Sequence, residues 1–106
     1  LYYYYGISLN VFHILATKMA KLIKSDGSFK YVKPKNKENF TLSELQNYIG
    51  GHVEIVETKT GRLMVINEEG NLLRLQKNRK ATDLYEYGGT DIIVGDVLVI
   101  DKNQIL

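Results

Sequence analysis

A single α+β domain is what this sequence predicts: a mostly antiparallel sheet of about five to six strands, with one or two short helices packed on one face. Three observations carry that reading. Short β-rich runs are separated by turns containing Gly, Asn or Asp. A helix start with full capping chemistry stands at Thr41. The length of 106 residues, with 44% hydrophobic and 25% charged, describes one folded domain rather than a disordered chain.

The first eighteen residues, LYYYYGISLNVFHILATK, stand apart from this pattern, with four consecutive tyrosines and no charge before Lys18. The apolar run is too short to span a membrane and lacks the basic start of a signal peptide. Met19 opens MAKLIKSDGSF, which reads as a protein beginning. Residues 1–18 are therefore expected to be a non-native or misannotated N-terminal extension, and 19–106 the domain. A genuine N-terminal helix or strand is the alternative, and no function is assigned to Tyr2–Tyr5 or His13.

From Lys21 onward the elements follow in order. Leu22-Ile23-Lys24 is a strand run, Ser25–Ser28 a turn around Asp26-Gly27, and Phe29–Lys33 a returning strand. Pro34 ends that strand because it cannot donate to a ladder, and KNKEN (35–39) is a polar loop. Thr41-Leu42-Ser43-Glu44 is a capping box, with Phe40 placed to staple Leu45. Leu42, Leu45, Tyr48 and Ile49 fall on one helical face, and Gly50-Gly51 stops the helix.

A second hairpin follows. Val53, Ile55 and Thr58 are read as one side of its first strand, Lys59-Thr60-Gly61 as the turn, and Leu63–Ile66 as the return. Asn67–Gly70 is a turn leading into Leu72, Leu73 and Leu75. A short helix is expected over Asn78–Tyr87, N-capped by Asn78, with Ala81, Leu84 and Tyr85 inward and Gly88-Gly89 at its end. Val97–Ile100 is the most strongly β segment.

The catalytic vocabulary is sparse. There is no cysteine, which excludes disulfides, thiolate nucleophiles and zinc–thiolate centres and fits a cytoplasmic location. No HExxH, phosphate loop or GxSxG stands in the chain. Both Gly-Gly pairs follow helices, whereas phosphate cradles precede them. His52 is one of two histidines and is read as a surface residue beside Glu54. The acids at Glu54, Glu57, Glu68 and Glu69 are read as solvated or structural, with Asn67 capping its turn and one glutamate pairing with Arg62, Arg74 or Arg79. No metal, cofactor or catalytic residue is expected, and the domain is read as not an enzyme.

Charge is nearly balanced at +2, from 14 basic and 12 acidic residues. The basic residues gather between Lys18 and Lys37. This reads first as a solvated face and second as a nucleic-acid surface with Phe29 and Tyr31 as stacking platforms.

The stretches GGHVEIV (Gly50–Val56), NEEG (Asn67–Gly70), LQKNRKA (Leu75–Ala81) and DIIVGDVLVI (Asp91–Ile100) together resemble the domain of unknown function 3846 family, over about Met19–Ile100. This is a group of small proteins of bacteria, phages and other mobile elements. The family pattern carries Pro where Gln76 stands here. The resemblance implies a compact, non-enzymatic accessory domain and brings no activity with it.

The reading that results is a protein-binding or regulatory domain of phage or mobile-element type. A polar cluster of Glu54, Asn67, Glu68, Glu69, Asn78 and Arg79 is the candidate site. An unidentified protein is the expected partner, exposed sheet edges favour a homodimer, and no membrane is involved. The alternative function is nucleic-acid binding through residues 21–37.

Overall fold

The first reversal is closed by a side chain. In the computed structural model, which describes residues 19–85 and 91–105, the Asp26 carboxylate accepts from the Ser28 N–H at 2.8 Å and the Ser28 hydroxyl at 2.6 Å. These bonds, the hydroxyl's first, hold the Asp26 carboxyl below its ordinary pKa. The turn joins β1 (Ala20–Ile23) to β2 (Phe29–Val32), paired antiparallel from Ala20↔Val32 to Ile23↔Phe29.

Helix α1 (Leu42–Ile49) begins as its sequence dictates. The Thr41 hydroxyl accepts from the Glu44 N–H at 3.2 Å, and the Glu44 carboxylate accepts from the Thr41 N–H at 3.1 Å. Phe40 and Leu45 share one buried cluster, as a hydrophobic staple requires. Leu45 and Ile49 are buried, but Leu42 is 61% exposed and leaves the predicted face. Phe40 already fills the core at this end of the helix. Gly50 ends α1 with φ of +85°, a left-handed conformation that costs a glycine little.

Glu44 also accepts from the Lys35 N–H at 2.9 Å. That bond first, then the one from Thr41, holds its carboxyl below the ordinary glutamate pKa. A pKa depressed on folding means stabilisation that is present at neutral pH and lost as pH falls through the folded value. In thermal melts from about pH 6 down to about pH 2.5, spanning the ordinary glutamate pKa, Glu44→Gln is expected to show a shallower acid-side decline in Tm than the native protein. Thr41→Ala, which removes the cap acceptor, is expected to cost about 1 kcal/mol at neutral pH.

Strands β3 (Val53–Glu57) and β4 (Leu63–Asn67) form the second hairpin, and β5 (Val97–Ile100) completes the sheet. The order is β2-β1-β5-β4-β3, every neighbouring pair antiparallel. All four residues of β5 are buried, because the strand is paired on both sides and covered on both faces. A run of Val-Leu-Val-Ile is what such a position requires.

Helix α2 (Arg79–Leu84) is shorter than the predicted 78–87. Tyr85 leaves the helix to bridge Thr58, and the Lys59 N–H donates to Leu84 O at 3.1 Å. Gly88-Gly89 lies outside the described residues, as does the reading of 1–18.

The two helices lie on opposite faces of the sheet, which corrects the expectation that both share one. On one face Ala20, Leu22, Val65, Leu98 and Ile100 pack with Phe40, Leu45 and Ile49. On the other, Ile23, Met64, Val97 and Val99 pack with Ala81 of α2 and with Ile93. The alternation of side chains along a strand makes this division, and the paired parts of β4 and β5 are apolar in both phases. Thr58 is buried but stands three residues after Ile55, which puts it in the opposite phase.

Among the described residues the sheet has five strands. The Leu72–Leu75 run lies in a hydrogen-bonded turn instead of a sixth strand, and residues 91–94 are irregular apart from a bridge of Val94 to Lys77. These two segments dock closely. Gly95 has φ of +79°, and a Cβ there would meet Leu75 Cδ1 at 2.8 Å. No helix among the described residues is long and apolar enough to cross a membrane.

Candidate functional site

The six residues of the predicted polar cluster divide between separate places. Asn67 is buried at the end of β4, and its side-chain oxygen accepts from the Glu69 N–H at 2.8 Å. Its amide nitrogen lies against Gly51, 3.2 Å from where a Cβ would stand. The Glu68 N–H donates to His52 O at 2.9 Å. Asn67, Glu68 and Glu69 thus build one turn, and the expected capping role of Asn67 is present.

Asn78 lies elsewhere, 1% exposed beneath the start of α2. Its Oδ1 accepts from the Ala81 N–H at 3.0 Å, the N-cap that the sequence predicted. Its Nδ2 also donates to Ile23 O at 3.0 Å and Gly95 O at 2.9 Å. One amide therefore ties α2 to β1 and to the loop before β5. Arg79 is exposed at the first helical position. The described ion pairs are Arg62–Asp101 at 2.8 Å and Lys102–Glu57 at 3.3 Å. Arg62 therefore pairs with Asp101, where a glutamate of the 67–70 turn was expected.

Glu54 belongs to a different surface. It pairs across the strands with Ile66, in the phase opposite to Asn67. There it lines a cleft of 420 Å³ with Val56, Ile66, Asn71, Tyr85, Asp91, Ile92 and Ile93. The inner wall is apolar, since Val56, Ile66 and Tyr85 pack on the core cluster of this face. Ile92 is half-exposed, and Glu54 and Asp91 supply two carboxylates. This cleft was not legible from the chain, because it forms only where the irregular 91–93 segment passes the edge hairpin. The only local trace was a strand-like DIIV that does not continue the sheet.

A second surface lies across the same face, at the β2 edge. Lys21, Phe29 and Tyr31 share the phase of Ile23, and Lys80 of α2 joins them. The Lys21 and Lys80 ammonium groups stand 4.2 and 5.5 Å from the Phe29 ring centroid. Phe29 and Tyr31 were legible as candidates. Lys80, about fifty residues on, was not.

The fold and these surfaces define a small α+β domain with a five-stranded antiparallel sheet, its buried asparagines Asn67 and Asn78 engaged in a turn and a cap. The chain belongs to the DUF3846 family, described as a domain of unknown function, whose model matches residues 20–104. That span holds every strand and helix described above. No curated protein and no solved structure matches the chain.

Proposed function

We propose that the domain is a non-enzymatic binding module that docks a protein partner in the cleft beside β3 and β4. The observation that carries this reading is the cleft's composition. It combines an apolar wall of Val56, Ile66 and Ile93 with carboxylates from Glu54 and Asp91. Such a surface complements a segment that sets a Lys or Arg beside an apolar residue.

The adjoining turn strengthens the reading. Directly after Asn71, Leu72 is 78% exposed and Leu73 also projects into solvent. The turn is held by Leu73 N–H to Glu69 O at 2.8 Å, Arg74 N–H to Asn71 O at 3.1 Å and Leu75 N–H to Gly70 O at 3.0 Å. Two leucines displayed on a fixed turn can bind without first being ordered.

The test is selection of peptides from a random displayed library against the full chain. Peptides pairing a basic with an apolar residue are expected to enrich, and Glu54→Lys or Leu73→Ser should weaken them about tenfold or more. Failure to enrich any peptide, or enrichment of peptides that bind these variants as well as the native chain, would remove the proposal.

A further inference from the structure

We infer that the Phe29–Tyr31 surface is a binding platform for single-stranded nucleic acid, independent of the proposed protein cleft. The two lie at opposite ends of one sheet face. Four interstrand steps separate β2 from β3, or roughly 19 Å.

The platform is aromatic and open. Phe29 is 48% and Tyr31 53% exposed. Their rings meet edge-to-face, centroids 5.9 Å apart and planes at 81°. Strand β2 is an edge strand, paired on one side by β1, and the described groups over the Phe29 ring are the Lys21 and Lys80 ammoniums. As i and i+2 residues they stand ~6.7 Å apart along the strand. That is about twice the 3.4 Å rise per nucleotide of a stacked strand, so bases reaching both rings must be unstacked from each other. A duplex cannot offer its bases in this way, whereas a single strand can.

The charge of the segment that carries the rings fits a polyanion, with Lys30, paired to Leu22, on the opposite face of the sheet. Residues 21–37 hold six lysines (21, 24, 30, 33, 35 and 37) and one acid, Asp26. The Asp26 carboxylate is engaged by Ser28. Lys80 adds a further cation from α2 to the ring that Lys21 already approaches. In the free protein these ammonium groups rest against Phe29, a contact of modest strength at an exposed site. A base arriving on the ring displaces them toward the flanking phosphates, where their attraction is to a full negative charge. The same four side chains thereby supply both stacking and phosphate neutralisation.

Fluorescence anisotropy with the full chain tests this, using labelled 20-nucleotide oligo-dT, oligo-rU and a 20-base-pair duplex, with polyglutamate as competitor. At about 50 mM salt, micromolar binding to single strands and at least tenfold weaker binding to the duplex are expected. The ratio of dT to rU affinity identifies DNA or RNA as the ligand. Phe29→Ala and Tyr31→Ala should each weaken binding by about 5- to 100-fold. Lys21→Gln and Lys80→Gln should each reduce the slope of log K against log salt by about 0.7. Leu73→Ser should leave binding unchanged, which separates this surface from the cleft. The inference is overturned by absence of binding at low salt, or by duplex and single strand binding alike with the alanine variants unaffected. It is equally overturned if polyglutamate of matched charge displaces the strand and itself requires Phe29 and Tyr31, since the surface would then be an acidic-peptide site. Thermal melts of each variant confirm that the fold is retained, as expected for side chains half in water.

Discussion

Replacing Asn78 by Ala will destabilise the domain by about 2–4 kcal/mol. The loss combines an N-cap, typically about 1 kcal/mol, with two buried carbonyls deprived of a donor, each about 1 kcal/mol or more. Asn78 is buried, and its three bonds run to Ala81 N, Ile23 O and Gly95 O. No single neighbour can replace them. Two further substitutions separate the contributions. Asn78→Ser keeps a cap acceptor but cannot span to both carbonyls, so it should fall between the native protein and Asn78→Ala. Asn78→Asp keeps the shape and the cap but turns a carboxylate oxygen toward the two carbonyls. Burial there should raise its pKa. Its penalty is therefore largest at neutral pH and eases as pH falls and the carboxyl becomes a donor. Urea unfolding at about pH 7 and about pH 4 reads all three. An Asn78→Asp protein as stable as the native one at pH 7 would show that the Nδ2 bonds contribute nothing.

Phe40→Ala should cost about 3–5 kcal/mol, the range for emptying a fully buried aromatic position. Phe40 is fully buried with Leu45, Ile49, Leu98 and Ile100, and its ring meets Tyr48 edge-to-face at 6.2 Å. It also joins distant parts of the chain. Its N–H donates to Gln104 O at 2.6 Å, and it bridges Ile105 beyond the short 3-10 turn Lys102–Gln104. The ring thus fixes the entry to α1 and the chain end together. Phe40→Leu, which keeps much of the volume, should lose less than about 2 kcal/mol. Hydrogen exchange should accelerate at the Phe40 and Gln104 amides in Phe40→Ala before other sites respond. A measured loss below about 1.5 kcal/mol would mean that the core closes over the vacancy.

These two residues show where sequence reading works and where it stops. The Thr41–Glu44 box and the Asn78 cap were legible because a cap acts within three residues of itself. Gly50 was legible for the same reason, since the left-handed end of a helix is a local backbone demand. The second half of Asn78 was not. An amide has two ends, and while the oxygen serves Ala81, the nitrogen reaches partners 55 and 17 residues away. Nothing near position 78 names those carbonyls.

Leu42 illustrates the limit of periodicity. It keeps the helical spacing of Leu45 and Ile49, yet Phe40 occupies the core at that end and leaves Leu42 in water. Leu72 and Leu73 illustrate the converse, an apolar run that resembles a strand but closes into a turn. In both cases a hydrophobic pattern states a preference for burial, and competition for the available core decides which residues obtain it.

The candidate site divides in the same way. Phe29, Tyr31 and the lysines of 21–37 could be marked from the chain because a strand sets i and i+2 side chains on one face. Glu68 and Glu69 could be placed on a turn. The separation of the polar cluster could not be foreseen, because Asn67 and Glu54 lie in opposite phases of a hairpin whose covered faces were unknown.

By itself, the sequence determined the α+β class, the turns at 25–28, 59–61 and 67–70, the start and stop of α1, and β5 as a core strand, since these follow from contacts between near neighbours and from period. Only the tertiary structure decided that β5 runs between β1 and β4, that the two helices take opposite faces, and that Lys80 meets Phe29. Each of those outcomes depends on pairings between segments far apart in the chain, where many registers satisfy local preference and only the packed whole selects one.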